Sequence, residues 1–346
     1  MNGFHRQKFQ AESDEKPGLI SPRFGVAYGL MSNMRPLRFS RRRLLAMLAL
    51  APMVQTRNRL KADQPQPLIA RSPVVDAHIH CFAGKKDERF PYHPRAPYRP
   101  ENAATPQHLL QCMDEVGIDY GIIVHPEPYQ DDHRYLEYCL EVGRKRLKGT
   151  CLFFADRPGS LAGLSSLVKK CPVVAIRVHA YAPDRLPPFG KPELRDLWRM
   201  ASENGLAVQI HLEPRYAPGF EPMIKEFAKT KVIIDHLGRP FQGTPEEHER
   251  VVRWSDMPNT VLKLSAVPEE TKYPHRSPGP VIKRLVAAFG TDRVIYGGGF
   301  GQGATPSGYR QTLDRVRSFL DFLPKEDQSE IVGGNAARLF GFGPRR

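Results

Sequence analysis

From residue 74 onward the chain repeats one pattern eight times. A short run of apolar, mostly β-branched residues is followed by a longer stretch with apolar positions three and four apart. The runs predict strands at 74–78, 120–125, 149–154, 174–178, 207–211, 231–235, 260–264 and 293–296. The amphipathic stretches predict helices at 106–116, 132–144, 161–170, 192–204, 222–229, 245–255, 278–289 and 306–322, with a last one near 328–339. Pro106, Pro192, Pro222, Pro245, Pro278 and Pro306 open six of them, which suits a residue whose fixed φ fits the first helical turn. Eight strand–helix units in about 270 residues predict an α/β fold, a (β/α)8 TIM barrel over 72–342. A doubly wound open sheet is the alternative, but no GxGxxG follows an early strand.

The first seventy residues read differently. Residues 1–73 hold 13 Lys/Arg against 4 Asp/Glu, whereas the remainder holds 38 against 33. The net charge of +14 is therefore mostly an N-terminal property, and a basic nucleic-acid-binding face is not expected. Ser40-Arg41-Arg42-Arg43-Leu44-Leu45 precedes a short apolar run, Ala46–Ala51, in the manner of a twin-arginine export signal. That run is too short to span a membrane. The expectation is a disordered export-signal region at 1–54 and a linker at 55–71, with the mature protein in the periplasm or cell envelope. A basic tail on a cytoplasmic protein is the other reading. Met31 or Met34 would give a more ordinary signal length. Five cysteines without CxxC spacing argue against a disulfide scaffold.

The polar residues fall at the carboxyl ends of the predicted strands, where such barrels keep their chemistry. His78 and His80 end the first, His125 the second, Arg177 and His179 the fourth, His211 the fifth, and Asp235 and His236 the sixth. His78 and His80 are two apart on an extended chain, so both imidazoles point to one side and can grip one cation. His211 can supply a third nitrogen. Three protein ligands and an open position describe a catalytic zinc-type site whose bound water has a lowered pKa.

These residues sit in motifs that resemble the amidohydrolase 2 family of the amidohydrolase superfamily. The similarity covers roughly residues 72–342. It rests on Val75-Asp76-Ala77-His78-Ile79-His80, Val208-Gln209-Ile210-His211, Ile234-Asp235-His236-Leu237-Gly238-Arg239-Pro240, Val261-Leu262-Lys263-Leu264-Ser265, Arg293-Val294-Ile295-Tyr296-Gly297 and Gly334-Asn335-Ala336-Ala337-Arg338-Leu339-Phe340. The resemblance implies a barrel hydrolase of sugar or aromatic lactones, or a nonoxidative decarboxylase, acting on a small molecule. It implies one divalent metal, zinc or manganese, although some lactonases of the family need none. Carried over by motif, His78, His80 and His211 are metal ligands and His236 the sixth-strand catalytic histidine. Arg239 is the arginine of the His-x-Gly-Arg-Pro turn, fit for a substrate carboxylate or for a structural ion pair; Arg177 has the same two readings, and His125 and His179 are further substrate-binding candidates.

One position departs from the family. Its eighth strand ends close to Gly-Ser-Asp before an aromatic residue; here the chain has Gly297-Gly298-Gly299-Phe300-Gly301, with Gly299 where the catalytic aspartate belongs. General-base help is worth about 10²–10⁴ in rate. Three accounts follow. A carboxylate elsewhere on the rim (Glu127, Asp156 or Glu213) acts instead, and Glu213 shares the fifth-strand loop with a proposed ligand. Alternatively, the metal activates water and a histidine accepts the proton, or the barrel binds a small ligand without turning it over. The loop at 92–100 either covers the mouth or packs on the surface. Oligomeric state is left open.

Overall fold

The computed structural model describes residues 71–268 and 277–343. The export-signal reading of 1–54 and all but the last residue of the 55–71 linker lie outside them. Eight parallel strands, β1 (Val75–Ile79), β2 (Tyr120–Val124), β3 (Leu147–Leu152), β4 (Val173–Ala180), β5 (Ala207–Leu212), β6 (Val232–Ile234), β7 (Thr260–Leu264) and β8 (Val294–Tyr296), form one sheet in chain order. Helices α1 (Pro106–Val116), α2 (Arg134–Gly143), α3 (Leu164–Lys170), α4 (Pro192–Glu203), α5 (Glu221–Glu226), α6 (Pro245–Val252), α7 (Pro278–Phe289) and α8 (Pro306–Ser318) alternate with the strands. This is the expected (β/α)8 barrel. The C-terminal segment is not one helix: α9 (Lys325–Ser329) passes through a π turn at Glu330–Gly334 into α10 (Asn335–Phe340). The turn brings Gly333 so near the start of β1 that a Cβ there would lie 1.7 Å from the Pro73 carbonyl oxygen.

Side chains alternate along each strand, so inward residues stack in layers. Val75, Ala77, Ile122, Ala175, Ala207, Ile233, Val261 and Ile295 pack with Ala336 and Phe340 of α10 into an apolar floor. Two positions further along their strands come Arg177, Gln209, Asp235 and Lys263, and these make a polar layer above it. The outer faces of the strands pack under the helices in a second, larger core.

Strand β1 adds one irregularity. Asp76 pairs with Gly121 and Ile79 with Ile123, so β1 carries one extra residue between them. This bulge resets the alternation. Val75 and Ala77 fill the floor, Ile79 turns to the outer core, and His78 and His80 both face the mouth. The seam between β8 and β1 is held by a side chain. Asp76, fully buried, accepts from its own strand's His78 N–H (2.8 Å), from Gly298 N–H (2.7 Å) and from the Tyr309 hydroxyl of α8 (2.6 Å). Asp76→Ala leaves three donors, two of them buried, without an acceptor and is expected to cost on the order of 3 kcal/mol or more; Tyr309→Phe costs about 1–2 kcal/mol. Urea midpoints measure both, and an unchanged midpoint in Asp76→Ala would show that the seam is held otherwise.

Candidate active site at the barrel mouth

A cavity of about 720 Å³ opens at the carboxyl ends of the strands, lined on one side by His78, His80, His211 and His236 and on another by Glu127, Tyr181 and Arg239. Beneath it lies the polar layer. Asp235 Oδ2 accepts from Arg177 Nε (3.0 Å) and Nη2 (2.9 Å) and from Gln209 (2.9 Å), and Asp235 Oδ1 is 3.1 Å from Lys263 Nζ. Thr150 donates to the amide oxygen of Gln209 at 3.2 Å, which orients it. Burial opposes ionisation of Asp235, but the lysine and arginine outweigh it and hold the carboxyl well below its ordinary range. Burial likewise pushes Lys263 downward.

His78 and His80 stand on this layer with their Nε2 atoms 3.2 Å apart. His80 Nδ1 is 2.8 Å from the Val124 carbonyl oxygen, so Nδ1 carries the proton and Nε2 keeps its lone pair. His78 Nδ1 lies 3.6 Å from Asp235 Oδ1. Burial keeps both rings neutral, with His80 lowered to about 4 and His78 well below its usual value.

The turn after β6 aims two more groups at the cavity. His236, Leu237, Gly238 and Arg239 have consecutive positive φ values of 55, 60, 67 and 54°. Three non-glycine residues in the left-handed region store strain of about 1–2 kcal/mol each. This tight left-handed turn closes with Gly238 N–H on the Asp235 carbonyl (2.9 Å) and Arg239 N–H on the His236 carbonyl (2.8 Å), and both His236 and Arg239 reach the cavity. Ser265 Oγ accepts from the His236 backbone N–H (3.2 Å) and meets its Nδ1 at 2.9 Å. Burial takes the His236 ring down to about 3. Its ring centroid is 4.6 Å from that of His78 and 5.0 Å from that of His211.

Residues 75–342 match the family model Amidohydrolase. The chain belongs to this amidohydrolase family. It is similar to the L-fucono-1,5-lactonase of Burkholderia ambifaria, 24% identical over 292 residues that cover 77% of this chain and 94% of the relative. It is also similar to the 4-sulfomuconolactone hydrolase of Rhizobium radiobacter, 27% identical over 275 residues, 77% of this chain and 89% of the relative. Among solved structures, an amidohydrolase from Burkholderia multivorans with bound zinc shares the fold at 15% identity, with a TM-score of 0.61, covering 79% of this chain and all of that one.

Within this amidohydrolase the expected residues divide into three groups. His78, His80, His211, His236, Arg177 and Arg239 all line the cavity. His211 meets His236 (centroids 5.0 Å) and stacks on Tyr181 (4.7 Å), with His179 at 5.5 Å; among the described residues its ring nitrogens do not form a set with those of His78 and His80 within 4.8 Å of one another, so the expected trio is not brought together. Arg177 takes the structural reading, ion-paired to Asp235. His125 and His179 lie behind the wall. His125 Nε2 bonds the Gln130 carbonyl oxygen (2.9 Å), and His179 Nδ1 sits 2.9 Å from Glu127. Neither is among the cavity residues, which corrects the substrate-binding expectation for both. Glu213 is corrected too: its carboxylate turns to Arg215 at 2.7 Å, and the rim carboxylate facing the cavity is Glu127. Tyr98, from the first loop, joins the lining.

The glycine at the eighth strand has a steric counterpart. A Cβ on Gly299 would stand 2.4 and 2.5 Å from ring carbons of the fully buried Tyr309. The ring that supports Asp76 occupies the direction a side chain at 299 would take, so an aspartate cannot simply be restored there. Lys263 was missed. Its signal is a lysine on the inward face of an apolar strand, where an unpaired charge is almost never found.

Glu127 is buried, which opposes its charge. His179, the Tyr181 hydroxyl at 2.5 Å and Arg185 at 3.6 Å nevertheless hold it at about 2. A folded value below the unfolded one contributes stability above about pH 4.5, lost as pH falls toward 2. Glu127→Gln is therefore expected to be less stable than wild type at pH 7, by on the order of 2–3 kcal/mol. The gap should narrow in denaturant melts between pH 4.5 and 3; a gap that stays constant would contradict the assignment.

Proposed function

We propose that this amidohydrolase opens the ring of a small lactone that carries a negative charge. The observation that carries the reading is the pair of imidazole Nε2 atoms, 3.2 Å apart, at the cavity wall. Two nitrogens bound to one tetrahedral zinc, each about 2.0–2.1 Å from it, lie about 3.3 Å apart. Each ring also turns its other nitrogen toward an acceptor, Val124 O for His80 and Asp235 Oδ1 for His78, as metal-binding histidines do. The residues therefore fit one divalent ion, zinc in preference to manganese given nitrogen donors. His78 and His80 hold it; His211, the third ligand expected from the sequence, completes the site only by moving toward them, because among the described residues the three do not form a set with ligand atoms within 4.8 Å of one another. Such an ion, when bound, supplies Lewis acidity and a water of lowered pKa.

The remaining work falls to the chain's own groups. With no carboxylate at position 299, the proton goes to His236, kept neutral by burial and oriented by Ser265. Arg239 and Arg315 line the cavity and meet the substrate's anionic group. The polar layer beneath carries two cations, Arg177 and Lys263, against the single carboxylate of Asp235, and this surplus favours the carboxylate formed when the ring opens. The two lactone-cleaving relatives support the bond type, and the sulfonated substrate in one relative's name supports the charge. The zinc-bound structure supports the metal. The Arg41-Arg42-Arg43 pattern supports export to the periplasm or cell envelope as part of the same reading.

Tyr309 in the place of the usual carboxylate favours a second reading, a barrel that binds such an anion without turning it over. A panel of neutral sugar lactones and sulfonated or carboxylated lactones separates the two. Wild type should open the charged lactones in preference. His236→Ala should lower kcat/KM by about 10²–10⁴, and Arg239→Met should act mainly on KM. No ring opening, with charged lactones still raising the melting temperature, would favour the silent barrel. Carbon dioxide released from an unsaturated acid would favour a decarboxylase.

A further inference from the structure

Among the described residues, one set of three metal-capable side chains has its ligand atoms within 4.8 Å of one another: His78, Asp235 and His236. Judged by distance alone it is a metal site beneath the histidine pair. A fourth group stands inside it. Lys263 Nζ is 3.1 Å from Asp235 Oδ1 and 3.4 Å from His78 Nδ1, and the lysine is fully buried. The other carboxylate oxygen of Asp235 already holds Arg177 and Gln209. A divalent ion shared by Asp235 and His78 would stand against the ammonium, two like charges in a buried site of low dielectric.

We propose that Lys263 is the resident cation of this cluster. The chain's own ammonium holds the position beneath His78 and confines a divalent ion to the cavity side, at Nε2 of His78 and His80, so that no more than one ion binds per chain. The cavity-side half rests on the metal reading above; the exclusion of an ion from the buried position does not. Three features of the layer agree with this. Lys263 stands two residues past the floor residue Val261, in the same layer as Asp235, and its ammonium meets Asp235 Oδ1 there. It is fully buried and is not among the residues that line the cavity. Its ammonium is matched to the Asp235 carboxylate at 3.1 Å.

The experiment compares wild type with Lys263→Met, a side chain of similar length without charge. Both proteins are stripped with chelator, titrated with zinc in a calorimeter, counted for bound metal and melted with and without zinc. Wild type should take one zinc per chain. Lys263→Met should take one more than wild type, and zinc should raise its melting temperature by several degrees more than it raises that of wild type. Equal zinc counts and equal shifts in the two proteins would overturn the proposal. So would two zinc ions in wild type, a result that needs no variant and keeps the proposal testable if Lys263→Met folds poorly. If wild type takes none and Lys263→Met takes one, the lysine inference stands while the cavity-side metal reading fails. The doubly neutralised Lys263→Met with Asp235→Asn should gain no zinc. A gain there equal to that of Lys263→Met would also overturn the proposal, because the vacated carboxylate would not be the ligand.

Discussion

A single buried carboxylate sets the geometry of the barrel mouth. Asp235, at the end of β6, ties β4 through Arg177, β5 through Gln209 and β7 through Lys263, and it faces His78 on β1. Four strands far apart in sequence are thereby fixed at one height above an apolar floor. The arrangement is costly to disturb. Removing one partner leaves a charge buried without compensation, which destabilises by about 3–5 kcal/mol in comparable sites. It also establishes what stands above it: imidazoles kept neutral by burial over a layer whose positive charge exceeds its negative charge by one.

The strained turn after β6 follows from the same residue. Asp235 must point inward, yet His236 and Arg239 must reach the cavity from the next few positions. A left-handed turn over four residues does both, and its cost is met by the buried bonds of Asp235 and by Ser265 holding His236. The opposite side of the mouth solves another problem. Where β8 meets β1, Asp76 and Tyr309 close the seam, and the Tyr309 ring lies where a side chain at position 299 would go. The glycine at position 299 and the closure of the seam are thus one feature of the packing.

Much of this was legible in the residues. Short apolar, β-branched runs and proline-opened helices located all eight strands and most helices, because a strand buried on both faces is written in β-branched residues. The histidine pair was legible from spacing alone. What escaped depended on contacts across the barrel. The β1 bulge has no local sequence signature, yet it decides that Val75 and Ala77 face down while His78 and His80 face up. Glu213 and Glu127 are equivalent as letters in loops after strands. Only the fold gives Glu213 to Arg215 and sets Glu127 against the cavity. His125 and His179 end their strands like the others, but their rings turn behind the wall. Lys263 was visible as a charge in an apolar strand, although its partner could not be named before β6 and β7 were paired.

The central claim is that His78 stands between two positions, one for a metal ion at its Nε2 and one, beside Asp235, that the Lys263 ammonium fills. Anomalous difference density at the zinc edge, from crystals grown with zinc, tests it most directly. The account predicts one peak per chain, about 2.0–2.1 Å from Nε2 of both His78 and His80, with Lys263 still beside Asp235. A peak at Asp235 with Lys263 displaced, or no peak between the two Nε2 atoms, would contradict it.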